Sequence, residues 1–424
     1  MSNTAFRSAI YATIRSVYLR SKLKLLAAQG GDLAAGKNGA SETFDATYLN
    51  SYVAHAPMEP HTATAKMEVD KMTVWASTQS PFGAKDEIAR ALDMPAEKVR
   101  VITPYVGGGF GGKSSNRQVV EAARLAKLAG KPVQVAWTRA EEFFYDIFRP
   151  AAIVKIHSGI SDAGGITFWD YHVYFAGGRG AEHFYEIPNH STAVHGSGWR
   201  GVPGSHPFAT GPWRAPANNT NTFARESHID IMAAKAGIDP LEFRLKILQN
   251  EKLHGVLRAA AEKFGWKSGK APNGRGFGIA CGFDAGAYVA VMAEVEVNKS
   301  SGNVQVKRVV AAQDMGLVIN PQGARIQMEG CVNMGLGYAL TEEIHFKGGK
   351  IFDLNFDTYQ LPRFSWVPKI ETVLIDSKDP NPQGGGEPAI ICMGAVIANA
   401  IFDATGARLF QLPMTPERIK NAMM

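Results

Sequence analysis

The sequence has little cysteine, with three residues in a chain of 424. Cys281, Cys331 and Cys392 lie far apart, are odd in number and form no C-x-x-C motif. Disulfide frameworks and cysteine-bound metal sites need closely and regularly spaced cysteines. The chain is therefore not expected to hold a disulfide network, a structural zinc site or an iron–sulfur cluster.

Long apolar runs are also scarce, and none is expected to reach about 18 residues, the length that spans a membrane. Residues 1–24 are basic and contain no acidic residue, but they lack a continuous apolar run and a clear cleavage site. A secretory signal is therefore not expected. A short surface helix is favoured there, with a targeting or docking segment as the alternative. The cytoplasm is the expected compartment, with the periplasm as the alternative if a partner exports the chain.

Runs of one charge are missing as well. The chain has 45 Lys and Arg against 39 Asp and Glu, which gives a formal net charge of +6. These basic residues are spread along the chain and are not interleaved with aromatic residues. A solvated basic surface is therefore favoured over nucleic-acid binding.

Both helical and strand-like patterns are present, and they do not alternate strictly, which predicts an α+β protein. Residues 64–70 and 71–78 predict a hairpin, residues 115–130 predict a helix ended by Gly130, and Asp239 is predicted to cap a helix over residues 239–248. Residues 30–42 are small and polar and predict a linker, whereas residues 177–216 predict long functional loops. We predict three parts: an N-terminal segment and linker (1–42), a first domain (43–250) and a second domain (251–424).

The chain is rich in glycine, and its densest cluster is GGGFGGKS, from Gly107 to Ser114. This segment satisfies the phosphate-loop pattern G-x-x-x-x-G-K-S between a predicted strand and a predicted helix. A nucleotide hydrolase is therefore one interpretation, although no later strand ending in a magnesium-binding Asp is evident. A tight turn without a ligand is another. Bare backbone amides at such a loop bind electron-rich groups in general.

Eight motifs follow one another between about Phe44 and Met414. They are YVAHAPMEPHTATA, STQSPF, VGGGFGGK, GPWRAP, ESHIDIMAAKAGIDPLEFRLKIL, QDMGLVINP, QMEGCVNMGLGYALTEE and GGGEPAI. In this order they resemble the molybdopterin-binding subunit of the xanthine dehydrogenase family, and most closely its isoquinoline oxidoreductase beta-subunit and aldehyde dehydrogenase branch. The resemblance implies the two-domain molybdopterin-binding fold of molybdenum hydroxylases, with residues 43–250 and 251–424 as its two domains.

The resemblance also implies roles for particular residues. Glu387 would be the catalytic base that deprotonates a Mo–OH group, so that water-derived oxygen enters an electron-poor carbon of an N-heterocycle or aldehyde. The pterin, not a side chain, would hold the molybdenum. An exposed turn glutamate is the alternative for Glu387. The implied cofactor-binding residues are Gln79, Gly108, Gly109, Phe110, Gly111, Arg214 and Gln327.

The same resemblance implies cofactors and partners. The cofactor would be molybdopterin cytosine dinucleotide, and [2Fe–2S] clusters would lie in a partner subunit. An FAD or cytochrome subunit would complete the electron path. We expect a multi-subunit oxidoreductase, and a non-catalytic scaffold is the remaining alternative.

The sequence departs from the family in three places. Ser114 stands where purine-oxidising members have a substrate-binding glutamate, which argues against purines. The small hammerhead domain and a glycine–glutamine–glycine loop are not found, so we expect a second molybdopterin-binding chain, with a fragment as the alternative.

Phe208, Trp213 and Trp199 are candidates for stacking on a flat substrate. His55 and His61 are predicted to be structural, because Pro57 and Pro60 break the helix that a metal-binding pair would need.

Overall fold

A computed structural model gives the structure, and it describes residues 24–196, 198, 206–269, 271 and 274–424. The predicted helix at residues 1–24 and the candidate Trp199 therefore lie outside the described residues, apart from Lys24. The strands are β1 Lys24–Gly30, β2 Glu42–Asn50, β3 Thr62–Glu68, β4 Lys71–Ala76, β5 Val99–Ile102, β6 Val133–Ala136, β7 Ala152–Ile160, β8 Ile166–Tyr174, β9 His190–His195, β10 Arg275–Asp284, β11 Ala287–Val297, β12 Val304–Asp314, β13 Phe346–Lys347, β14 Lys350–Ile351, β15 Lys369–Leu374 and β16 Gln411–Leu412. The helices are α1 Leu33–Asn38, α2 Pro81–Leu92, α3 Arg117–Ala129, α4 Arg139–Tyr145, α5 Asn218–Lys235, α6 Pro240–Ile247, α7 Glu251–Phe264, α8 Pro321–Leu340, α9 Pro388–Ile391, α10 Met393–Thr405 and α11 Pro416–Met423.

A small sheet with its own core carries the glycine loop. Its strand order is β5-β4-β3-β6, and buried residues alternate along β3 and β4, as in a sheet with one covered face. The helices α2 and α3 cover that face, where Ile88 and Val119 pack against Met72 and Val74. The glycine loop leaves β5 and leads to α3, so this sheet fixes its position.

A six-stranded sheet joins distant parts of the chain. Its order is β1-β9-β8-β7-β2-β16, and β16, near the end of the chain, pairs in parallel with β2. A third sheet, β10-β11-β12-β15, lies against α10. Gly276 and Gly278 make this close packing possible, because a Cβ there would lie 1.9 Å from the Ala400 carbonyl oxygen and 2.0 Å from that of Val396.

The larger apolar core is continuous across the predicted boundary at residue 250. Buried residues from β7 and β8, from α5 and from α10 belong to one cluster. The α+β prediction agrees with these mixed layers, and the division of the chain at residues 42 and 250 stays a prediction.

Local signals in the sequence were mostly correct. The hairpin β3–β4 forms, α3 ends at Gly130 in the left-handed conformation, and Asp239 caps α6 through bonds from Leu241 N and Glu242 N. The linker prediction for residues 30–42 is wrong, because Asp32 caps the short helix α1 within it. The long-loop prediction for residues 177–216 missed β9, whose polar and histidine residues gave no alternating pattern.

One apolar stretch is longer than the sequence pattern predicted. Pro388–Thr405 has a mean hydropathy of 1.6 and is long enough to cross a membrane by length and composition. In the structure, 78% of this stretch is buried inside the protein. It forms α9 and α10, which are core helices here, and it begins directly after Glu387.

Candidate active site

Three residues of the glycine loop have backbone angles that favour glycine, and two of the three are glycine. Gly108 and Gly111 have φ angles of +91° and +114°, and Phe110 between them has +53°. A Cβ at Gly109 would lie 2.5 Å from Gln79 Oε1, and one at Gly111 would lie 1.7 Å from the Pro212 carbonyl oxygen. The loop therefore needs glycine both for its backbone angles and for close contact with its neighbours.

Several amides of the loop are left without partners. Gly107 N donates to Glu59 Oε2 at 2.6 Å, and Gly111 N donates to Gln79 Oε1 at 2.9 Å. Within the described ranges, the amides of residues 108–110 have no hydrogen-bond acceptor. Such bare N–H groups in a turn of alternating backbone angles form a concave site for an electron-rich ligand.

The lysine of the phosphate-loop pattern is engaged within the fold. The Lys113 side chain is fully buried, and its ammonium contacts Glu59 Oε2 at 2.7 Å. Burial alone would raise the pKa of Glu59, but the bonds from Lys113 and Gly107 hold it below its usual value. Moreover, α3 starts only at Arg117, after a short 3₁₀ turn. The nucleotide-hydrolase interpretation is therefore not supported.

Glu387 stands at the start of α9, and both of its carboxylate oxygens are bonded. Oε1 accepts from Ala215 N at 2.8 Å, and Oε2 accepts from Arg179 Nη2 at 2.8 Å. The side chain is 33% exposed. The carboxylate is thus held in direction by two donors, while about a third of the side chain stays exposed.

Arg179 is a site residue that the sequence did not single out. Its Nε and Nη2 atoms bond the two Asp284 oxygens, each at 2.7 Å, and Nη2 also reaches Glu387. Burial raises the pKa of Asp284, although Asn218 and Arg179 donate to it. Arg179 lies in the long loop predicted to be functional, but its carboxylate partners are more than 100 residues away, and no local pattern reports such a pairing.

Arg214 lies between the glycine loop and Glu387. Its backbone N donates to the Phe110 carbonyl oxygen at 2.9 Å. Its guanidinium donates to the Gly386 carbonyl oxygen and, through Nη2, to Gln327 Oε1 at 2.9 Å. The structure thus brings Gln79, the glycine loop, Arg214, Gln327 and Glu387 into one connected group, and the roles carried over to these residues stay predictions.

The aromatic candidates are placed differently from each other. Trp213 is 1% exposed, and its Nε1 donates to the Ala54 carbonyl oxygen at 3.1 Å. Its ring lies against Arg149 and Tyr338, so it is a core residue, and the prediction that it stacks on a substrate is wrong for this structure. Phe208 is half-buried, and its role in the substrate pocket stays a prediction.

The two histidines of the HAPMEPH motif are structural, as predicted. His55 Nδ1 contacts Asp146 Oδ2 at 3.0 Å, and its Nε2 contacts the Pro212 carbonyl oxygen at 2.8 Å. Burial alone would lower the pKa of His55, but Asp146 and the Pro212 carbonyl raise it above its usual value. His61 Nδ1 contacts Glu142. Among the described residues, no group of three or more His, Cys, Asp or Glu side chains could hold a metal ion.

The chain belongs to the molybdopterin cofactor-binding family. Residues 19–248 match a family described as molybdopterin cofactor-binding domain, and residues 236–368 match a second family of the same description. The first match covers more than half of the chain. The resemblance read from the eight motifs is therefore confirmed.

Curated relatives extend well beyond this chain. A nicotinate dehydrogenase subunit of Pseudomonas putida is 29% identical, over 93% of this chain and 36% of that protein. The beta subunit of isoquinoline 1-oxidoreductase from Brevundimonas diminuta is 30% identical, over 86% of this chain and 49% of that protein. The chain thus spans about a third to a half of the length of these two relatives.

Solved structures confirm the predicted fold class. Quinoline 2-oxidoreductase from Pseudomonas putida 86 superposes with a TM-score of 0.85 at 15% identity, covering 95% of this chain and 79% of that chain. Aldehyde oxidoreductase from Desulfovibrio gigas gives a TM-score of 0.80 at 18% identity, covering 95% and 63%. Neither these structures nor the relatives support a nucleotide hydrolase or a non-catalytic scaffold.

Proposed function

We propose that this chain is the base-bearing part of a molybdenum hydroxylase. The reaction inserts water-derived oxygen at an electron-poor carbon of an N-heterocycle or an aldehyde. The observation that carries the proposal is the connection from the glycine loop to Glu387. The Phe110 carbonyl accepts from Arg214 N, and the next amide, Ala215 N, donates to Glu387 Oε1. Bare amides and a directed carboxylate therefore lie on either side of one two-residue segment.

The residues present fit a molybdenum–pterin group. Partnerless amides at residues 108–110 suit electron-rich ligands, and any Cβ at Gly109 would clash with Gln79 in that cradle. When bound, such a cofactor supplies oxygen transfer and accepts two electrons. The loop amides, Gln79 and Gln327 are the residues of this chain that would hold it.

The chain's own groups would orient the ligand and accept a proton. Gln79 is exposed and its Oε1 accepts from Gly111 N, and among the described residues its Nε2 donor has no acceptor and would be available to the ligand. Glu387 would take a proton at a carboxylate oxygen, held in place by Ala215 N and Arg179. A base in this role contributes about 10²- to 10⁴-fold to the rate.

The proposed substrate classes rest on the relatives' names, and the proposed cofactor form and partners rest on the resemblance of the eight motifs. The two curated relatives are named for nicotinate and isoquinoline, which are N-heterocycles. Another, from Escherichia coli, is named an aldehyde oxidoreductase molybdenum-binding subunit. For this chain we propose the cytosine dinucleotide form of the cofactor, an iron–sulfur subunit carrying [2Fe–2S] clusters, a second molybdopterin-binding chain, and an FAD or cytochrome subunit.

The native complex would test the proposal. The purified complex is assayed for molybdenum by elemental analysis and for oxidation of a panel of N-heterocycles and aldehydes with an artificial electron acceptor. Glu387→Gln keeps the side-chain shape and is expected to retain molybdenum while turnover falls by about 10²- to 10⁴-fold. Glu296→Gln, remote from the site, serves as the matched control. Substantial turnover by Glu387→Gln would contradict the role of the base.

The need for a second molybdopterin-binding chain has a separate test. The chain is expressed alone and together with its native partners, and molybdenum per chain is compared. Full loading of the lone chain would contradict the second-chain proposal without affecting the role of Glu387.

A further inference from the structure

The guanidinium of Arg214 directs its Nε and Nη2 donors to acceptors of this chain. Nε and Nη2 both donate to the Gly386 carbonyl oxygen, at 2.8 and 2.6 Å. Nη2 also reaches Gln327 Oε1 at 2.9 Å, and Nη1 contacts Met334 Sδ at 3.3 Å. The donors of Nε and Nη2 are therefore used within the fold, and Nη1 alone cannot present a two-nitrogen fork to a ligand.

The acceptor of this fork belongs to the peptide that precedes Glu387. The Gly386 carbonyl also accepts from Cys331 Sγ at 3.3 Å, from the buried side of α8. Fixing this carbonyl fixes the plane of the peptide bond that enters Glu387. Glu387 begins α9 without a capping bond from its own side chain, so this peptide holds the backbone from which the side chain leaves, and Ala215 N and Arg179 hold the carboxylate.

The residue after Arg214 holds the other end of Glu387. Ala215 is fully buried and has a φ angle of +57°, a conformation that L-residues rarely adopt. In that conformation its N–H points at Glu387 Oε1, at 2.8 Å. Backbone strain persists only where the surroundings impose it, and it concentrates at functional sites. Two consecutive residues thus hold the backbone before Glu387 and the carboxylate of Glu387.

We propose that Arg214 is a positioning residue for Glu387, acting through the Gly386 carbonyl, and not a cofactor ligand as the family resemblance implied. Arg214 and Ala215 work as one clamp, and the Phe110 carbonyl anchors that clamp to the glycine loop through Arg214 N. The inference rests on the proposed role of Glu387 as the base. The Arg214 guanidinium would keep the Glu387 carboxylate at a fixed distance and direction from the glycine loop.

The first test does not require a loaded enzyme. Hydrogen exchange is followed by mass spectrometry in the peptide that covers residues 384–391, for the wild type, Arg214→Lys and Arg214→Met. Loss of charged hydrogen bonds to the Gly386 carbonyl is expected to speed exchange there by at least about tenfold. Arg308→Met is the control, because Arg308 also donates to two backbone carbonyls but lies away from the site. Unchanged exchange in both Arg214 variants would overturn the clamp, whatever Glu387 does.

The second test asks whether Arg214 acts through the geometry of its guanidinium or only through its positive charge. In the native complex, Arg214→Lys keeps a positive charge and loses the fork, so molybdenum content is expected to stay near the wild-type value while kcat falls at least about tenfold. In the Glu387→Gln background the same substitution is expected to lower turnover by less than about threefold, because both residues act through one group. Loss of molybdenum in Arg214→Lys, or additive effects in the double variant, would overturn the proposal.

Glu387→Gln alone keeps the two proposals apart. If that variant remains active while Arg214→Lys still speeds exchange at residues 384–391, the clamp stands and the assignment of the base fails. If Arg214→Met does not fold, the lysine variant carries both measurements.

Discussion

The two segments that form the site are built in opposite ways. The glycine loop leaves its amides at residues 108–110 without acceptors among the described residues, whereas in the segment at residues 384–387 the Gly385 and Gly386 carbonyls and the Glu387 carboxylate accept hydrogen bonds. The first segment is arranged to receive a ligand, and the second to keep one side chain still. Under the proposed function, ligand binding and proton transfer therefore need different backbones. The two segments are connected through Arg214 and the neighbouring Ala215.

The largest effect is expected at Gly111 of the glycine loop, which lies against the Pro212 carbonyl oxygen. In Gly111→Ala the new Cβ would lie 1.7 Å from a backbone oxygen that cannot move aside, at a φ angle of +114°. We expect the free energy of unfolding to fall by about 3 kcal/mol or more and molybdenum binding to be lost. Thermal unfolding and elemental analysis measure both.

Gly130→Ala is the matched control for that variant. Gly130 also has a positive φ angle, +59°, but a Cβ there meets nothing within 4 Å. Only the backbone preference is lost, at a cost of about 1 kcal/mol. Equal effects at the two positions would show that the contact with Pro212 is unimportant.

The next largest effect is expected at Arg179, which donates to Glu387. Arg179→Met removes the cation from Glu387 Oε2 and from Asp284, and a charged hydrogen bond of about 1.5–3 kcal/mol corresponds to roughly 10- to 100-fold in kcat. Steady-state kinetics normalised to molybdenum content give the measurement, with Arg275→Met as the remote control. A rise in kcat would indicate that the ion pair restrains the base instead of orienting it.

A pH effect on stability is expected at His55, which lies next to the glycine loop. Both His55 nitrogens face acceptors, Asp146 and the Pro212 carbonyl, and its pKa is raised in the folded protein. The folded state then binds the proton more tightly, so this contribution is complete below about pH 6.5 and is lost as pH rises through the folded pKa. Urea unfolding from pH 5 to 9 should show the loss in the wild type and a smaller one in His55→Gln. Identical pH profiles would show that His55 does not contribute to the pH dependence of stability.

The smallest effect is expected at Gln79, which accepts a hydrogen bond from the glycine loop. Gln79→Ala deletes one neutral hydrogen bond to Gly111 N and one outward donor, so kcat/KM is expected to fall by about two- to tenfold with the fold intact. Gln305→Ala, in β12, is the control. Unchanged kinetics would mean that the role carried over to Gln79 is wrong.

Some of this molecule could be predicted from local sequence and some could not. The β3–β4 hairpin, the end of α3 at Gly130 and the cap at Asp239 depend on neighbouring residues, and they were predicted correctly. The Arg179–Glu387 pair joins residues 208 positions apart, and β16 pairs with β2 from the far end of the chain. Such partners leave no periodic signal in the sequence. The motif order supplied Glu387 and the glycine loop, but not the contacts that hold them.

Two predictions were wrong for physical reasons that the structure makes plain. Trp213 looked like a loop residue open to a substrate, yet its indole N–H bonds Ala54 and its ring is covered. Residues 30–42 looked like a linker because they are small and polar, yet a single Asp32 cap suffices for a short helix there. The expected compartment and the domain limits stay predictions.

The ion pair of Lys113 with Glu59 has a consequence for selectivity. A phosphate loop binds a polyphosphate through its lysine and its backbone amides. Here a carboxylate of the same chain already occupies that cation and one loop amide. A polyphosphate would have to displace Glu59 from both groups, whereas a ligand that binds the amides of residues 108–110 would not.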